Sequence, residues 1–137
     1  MSFLSLFLPI LLYLDKPNAN LAVEITNSKN DAGKIYIALY NSSTSYMQED
    51  KALSKKILSI SNKKASANFE NLTTGYYAFV FFRDENGNGK IDKNMLGIPT
   101  ESYGFSNNVK GTFGAPSFEK AKFYVSSAGG KVSAKLN

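Results

Sequence analysis

The chain contains no cysteine and no histidine. Without cysteine there can be no disulfide, no thiolate nucleophile and no lipid-anchored cysteine of the bacterial lipoprotein kind. Without histidine there is no imidazole base, so a Ser-His-Asp triad is excluded. The two absences together remove every Cys/His zinc site. Arginine is almost missing as well: of 16 basic residues only Arg83 carries a guanidinium. The lysines are scattered, with adjacent pairs only at Lys55-Lys56 and Lys63-Lys64. Nucleic-acid readers rely on arginine and on clustered basic patches interleaved with aromatics. The net charge of +5 therefore reads as a solvated lysine surface.

What is present suits one packed domain. A length of 137 residues allows a single modest core, and a hydrophobic fraction of 43% with 10 Phe and 8 Tyr argues against disorder. Residues 3–14 form an apolar stretch interrupted only by Ser5 and Pro9. It is too short for a transmembrane helix of ~20 residues and matches a signal-peptide apolar region of ~7–15. Ala19 follows as a small residue before a cut, so residues 1–19 are read as a signal peptide and 20–137 as the mature domain. The segment departs from a regular signal peptide in having no basic residue ahead of its apolar region.

The chain is organised around residues 84–92, Asp-Glu-Asn-Gly-Asn-Gly-Lys-Ile-Asp. Asp84, Asn86, Asn88 and Asp92 occupy positions 1, 3, 5 and 9 of a calcium loop, with Gly89 at position 6 where the chain must turn sharply. Lys90 falls at position 7, which contributes a backbone carbonyl, so its side chain is free to point away. These oxygens suit Ca²⁺, which takes about 6–8 of them. The bidentate Glu of an EF-hand is absent, because position 12 is Met95. Residues 76–83 are aromatic and β-branched, which favours a strand before the loop rather than a helix. Glu101, where the chain returns, is a candidate for a further ligand. The alternative is an Asn/Gly-rich turn without metal.

Alternating apolar residues place strands at 21–25, 34–40, 57–60, 65–69, 121–125 and 132–136. Turn clusters between successive members suggest three hairpins, the first two joining 21–25 to 34–40 and 57–60 to 65–69. The third joins 121–125 to 132–136. Residues 76–83 are apolar on both faces and read as a central strand covered on both sides. About seven short strands imply an all-β antiparallel sandwich. Residues 84–119 exceed the ~12–15 beyond which structureless loops become uncommon, so this stretch reads as a functional insertion. Within it Tyr103, Phe105, Phe113, Asn107 and Asn108 could form a ligand platform, aromatic faces packing on sugar rings while amides bond hydroxyls. The alternative is that the aromatics fill a core.

Residues 77–92, followed by Leu-Gly-Ile-Pro at 96–99, Glu-Ser-Tyr-Gly-Phe-Ser-Asn-Asn at 101–108 and Phe-Gly-Ala-Pro-Ser-Phe at 113–118, resemble one family. This is the domain of unknown function 2141 family of exported bacterial proteins. The resemblance implies a periplasmic or secreted protein with a transthyretin-like (prealbumin-like) sandwich, and it supplies no activity. No spacing among the carboxylates singles out an acid/base pair. The expectation is a non-enzymatic, calcium-holding module acting at the cell envelope. Its partner would be an envelope protein or a glycan, and its oligomeric state is open. A carbohydrate- or peptide-binding module using the aromatic loop, or a carboxylate hydrolase, are the competing readings.

Overall fold

The computed structural model describes residues 18–96, 99–112 and 114–137. The apolar stretch at 3–14 and Phe113 lie outside the described residues. Eight strands are present among them: β1 (Ala19–Thr26), β2 (Lys34–Tyr40), β3 (Ser54–Ser59), β4 (Ala65–Leu72), β5 (Gly75–Asp84), β6 (Tyr103–Phe105), β7 (Phe123–Val125) and β8 (Gly130–Lys135). A short helix α1 (Phe118–Ala121) follows the long insertion, its first turn capped by the Ser117 side chain accepting from Lys120 N–H. None of the helices described is long and apolar enough to cross a membrane.

The strands form a sandwich of two sheets, one ordered β4-β1-β8 and the other β3-β2-β5-β6, with β7 pairing to the start of β5. The core follows from a period of two. Leu21, Val23 and Ile25 of β1 face Ile35, Ile37 and Leu39 of β2 and Tyr77, Phe79 and Phe81 of β5 in one cluster, each almost fully buried. Truncating Phe79 or Phe81 to alanine would cost about 3–5 kcal/mol. Tyr77 satisfies its polar tip by donating to the Thr73 carbonyl at 2.6 Å.

The pairing corrects the sequence reading in three places. β1 does not pair with β2; it pairs with β4 and, in parallel, with β8. β3 pairs with β2 rather than with β4, and β7 with β5 rather than with β8. Each expected hairpin is a corner where the chain crosses from one sheet to the other. The turn residues reverse the chain in either case, and the same apolar face is buried whichever sheet the strand joins. The parallel β1–β8 pair is likewise a departure from a wholly antiparallel sandwich.

β5 is central, as its composition predicts, but its outer face is only half covered. Ala78 lies under Phe118 and Ala121 of α1 together with Tyr46. Further along, Val80 and Phe82 are only partly buried, and Phe82 stacks on Tyr36 of β2 at 5.2 Å between ring centroids. At one end of the sandwich the loops are tied together. The Asp31 carboxylate accepts the backbone N–H groups of Lys63 (2.7 Å) and Asn62 (3.1 Å), beside the point where β5 delivers the 84–92 loop.

Candidate metal centre

β5 ends at Asp84, whose side chain is carried into the protein at 2% exposure. Its two oxygens accept backbone N–H groups from inside the loop, Oδ1 from Gly87 at 3.0 Å and Oδ2 from Gly89 at 2.8 Å. Both glycines have left-handed backbones, φ +75° and +74°. That conformation turns their N–H groups inward at no side-chain cost. Asn86 and Asn88 shape the rest, their Oδ1 atoms accepting from the backbone of Asn88 (3.2 Å) and Lys90 (3.0 Å).

Asp92 closes the loop. Its carboxylate accepts from the side-chain amides of both Asn86 and Asn88, the latter at 2.7 Å. The spacing thus brings Asn86, Asn88 and Asp92 into direct contact and joins Asp84 to them through the loop backbone. A cation drawn to Asp92 competes for the oxygens that now accept the two amide N–H groups. The Lys90 side chain is exposed and enters no ion pair among the described residues. Met95 is fully exposed, pointing away from the loop at the position where an EF-hand would supply its Glu.

Glu101 is placed differently from the extra ligand the sequence suggests. It is 5% exposed, and its Oε2 accepts Glu85 N–H at 2.7 Å while Oε1 accepts Asp92 N–H at 2.8 Å. One carboxylate therefore staples the backbone at both ends of the loop. Thr100 adds two bonds to the Asp92 carbonyl, from its N–H at 2.8 Å and its hydroxyl at 3.1 Å.

Arg83, Asn30 and Gly33 also support the loop, and no spacing signalled them. Buried Arg83 pairs with Glu85 at 3.1 Å, donates to the Ala32 carbonyl at 2.8 Å and reaches the Asn30 side chain. Gly33 has φ +81°, and a Cβ there would stand 2.5 Å from the Asp84 carbonyl oxygen. Only glycine lets the β1–β2 loop lie against the start of the 84–92 segment.

The charge balance bears on a cation. Asp84 and Glu101 are both buried, and neither meets a Lys or Arg among the described residues, the single guanidinium being taken by Glu85. Buried carboxylates are ordinarily paired or bound to metal; here four backbone N–H groups do the balancing. The donors available around the loop are all oxygens: two Asp carboxylates, two amide carbonyls and the Lys90 carbonyl. That chemistry suits a hard cation and not a soft one. Among the described residues no three of His, Cys, Asp and Glu gather as a metal-binding group. The loop's donor set leans instead on amide and backbone oxygens.

Of the expected aromatic platform, Tyr103, Phe105 and Asn108 come together around one cavity and Asn107 does not. Tyr103 is half-buried, Phe105 is buried, and the two rings meet edge to face at 5.9 Å. Asn107 spends its amide on the carbonyls of Lys120 (3.2 Å) and Lys122 (2.8 Å), and Asn108 accepts from Lys135 N–H at 2.8 Å. Tyr103, Phe105 and Asn108 line a cavity of about 520 Å³ with the C-terminal residues, and Asn107 is not part of it.

The family model described as "Uncharacterized protein conserved in bacteria (DUF2141)" matches residues 23–133, which is most of the chain. No curated protein and no solved structure matches it.

Proposed function

This chain belongs to the DUF2141 family of uncharacterized bacterial proteins, and we propose that it is a non-enzymatic β-sandwich module whose 84–92 loop holds a structural Ca²⁺. Asp84, Asn86, Asn88 and Asp92 would supply side-chain oxygens and Lys90 its carbonyl. The ion would supply positive charge and fixed coordination to a segment that has few apolar contacts of its own. The observation that carries this reading is the burial of Asp84 and Glu101 at the loop, neither of them in an ion pair with a Lys or Arg among the described residues.

With only two charged ligands, the affinity falls in the weak class, with Kd on the order of 10⁻⁴–10⁻³ M. Such a site fills at millimolar calcium, outside the cytosol. Together with the reading of residues 1–19 as a signal peptide, this supports a module that works in the periplasm or outside the cell. Its role there is binding or structural, toward an envelope protein or a glycan. The test is thermal unfolding in EDTA, CaCl₂ and MgCl₂, in which a calcium-specific rise in Tm supports the site by linkage.

A further inference from the structure

The open half of the outer β5 face is a groove of about 620 Å³, within the range usual for ligand sites. Its floor includes Tyr36 and Phe82, whose rings stack on each other and so leave one face each for a ligand, with Val80, Tyr40 and Ile57 beside them. The β2–β3 loop bounds one side through Met47 and Glu49, and the 84–92 loop with its exit bounds the other through Lys90, Ile91 and Lys93. We propose that this groove binds an acidic oligosaccharide, its sugar rings on the aromatic floor and its anionic groups at Lys90 and Lys93.

Two observations select that class of occupant. Among the described residues no helix lies over this sheet face at Val80 and Phe82, which leaves one side of an occupant in water. An acyl chain would leave half its surface exposed there, whereas a sugar has an apolar face to bury and hydroxyls to leave solvated. The strands of the floor are paired on both edges, β2 by β3 and β5, and β5 by β2 and β6. The free edge belongs to β3, one strand away from Tyr36 and two from Phe82, so a peptide pairing there would not lie on the aromatic floor.

Charge selects the anion. Lys90 and Lys93 are exposed and enter no ion pair among the described residues, while at the other end Glu49 is already matched by Lys55 at 3.8 Å. The Tyr36 hydroxyl makes no hydrogen bond among the described residues and lies beside the loop, 3.8 Å from where a Cβ on Gly89 would be. It is free to bond a ring hydroxyl. The inference deepens the glycan side of the proposed role; Lys90 and Ile91 belong to the loop that would hold the ion, so binding is read both with and without calcium.

The experiment is NMR titration of the ¹⁵N-labelled protein with tetragalacturonate, in EDTA and separately in calcium. Neutral maltotetraose and tetraglutamate serve as comparison probes. The expected result is saturable shifts at Tyr36, Val80, Phe82 and Lys93 with tetragalacturonate, at a Kd on the order of 10⁻³ M or tighter. Binding should weaken severalfold in Lys93→Glu and in Tyr36→Phe, two changes that leave the core intact. Tetraglutamate binding as well as the uronate would overturn the proposal in favour of charge alone. Shifts that map to the 520 Å³ cavity at Tyr103, to a self-association surface, or nowhere in either buffer would also overturn it. Calcium-dependent binding that Lys93→Glu and Tyr36→Phe leave unchanged would mean the uronate is bridged by the ion, and that too contradicts the groove.

Discussion

The Glu101 carboxylate accepts the backbone N–H of Asp92 at 2.8 Å, and with its other oxygen that of Glu85 at 2.7 Å. Sixteen residues after Glu85, one side chain thus fixes the width of the loop that β5 delivers. Glu101→Gln replaces one acceptor oxygen by an N–H group facing another N–H. The expected loss is roughly 1–3 kcal/mol, the cost of leaving a buried polar group unpaired. Hydrogen exchange at Glu85 and Asp92 should accelerate while exchange in β1 and β2 changes only by the global loss. Unchanged protection at those two amides would show that the staple does not hold the loop.

Asn88→Asp brings a second carboxylate against Asp92, where the amide now donates at 2.7 Å. Without a cation the two repel, so Tm in EDTA should fall. With calcium the added charge should raise affinity, because affinity in such loops follows ligand charge count. The calcium-induced rise in Tm should therefore be larger than in the wild type. An equal fall in both buffers would place Asn88 outside any ion site.

Gly33→Ala tests whether the β1–β2 loop positions the 84–92 loop. The φ of +81° and the 2.5 Å approach to the Asp84 carbonyl predict a loss of about 1–3 kcal/mol. The mutant should also need more calcium to reach half its Tm rise. A destabilised protein with unaltered calcium response would confine Gly33 to the fold.

Much of this was legible in the sequence, and most of what was not depends on contacts between distant parts of the chain. Leu21, Val23 and Ile25, or Ile35, Ile37 and Leu39, announce strands because a period of two puts them all on one face. The same alternation says nothing about which sheet receives that face, so the three expected hairpins became crossings. β6 escaped notice because Tyr103–Phe105 is only three residues long and owes its pairing to the edge β5 offers. The loop residues Asp84, Asn86, Asn88 and Asp92 could be read from spacing because their contacts are local. Glu101, Asn30 and Arg83 act across 16 to 53 residues of sequence, where spacing carries no signal. Of the platform residues Tyr103, Phe105, Asn107, Asn108 and Phe113, Phe105 is buried against Tyr103, the two asparagines bond neighbouring backbone, and Phe113 lies outside the described residues.

Tyr46 offers a test of the second, smaller core. Its ring meets those of Tyr40 and Phe118 edge to face, each at 5.7 Å, and its buried hydroxyl has no hydrogen-bond partner among the described residues. Burial, with the neighbouring Tyr40 adding to it, pushes the Tyr46 hydroxyl up to about 12. The folded state therefore holds this proton more tightly than the unfolded chain does, whose tyrosine titrates near 10. The fold therefore carries no ionisation cost at this group below pH ~10, and loses stability as pH rises from there through about 12. Tyr46→Phe should be stabilising by about 1 kcal/mol at neutral pH and should remove that share of the alkaline loss. A destabilised mutant with an unchanged alkaline limb would show that the hydroxyl is satisfied.

The most direct test of the calcium loop is the thermal unfolding of the purified protein in EDTA, in 5 mM CaCl₂ and in 5 mM MgCl₂, with Asp84→Asn alongside. At about ten times Kd the ion adds ~1.4 kcal/mol, which is a Tm rise of roughly 3–6 °C for a domain of this size. The account predicts that rise with calcium, little or none with magnesium, and none in Asp84→Asn. Identical Tm values in all three buffers would contradict it, leaving the 84–92 segment a turn closed by its own hydrogen bonds.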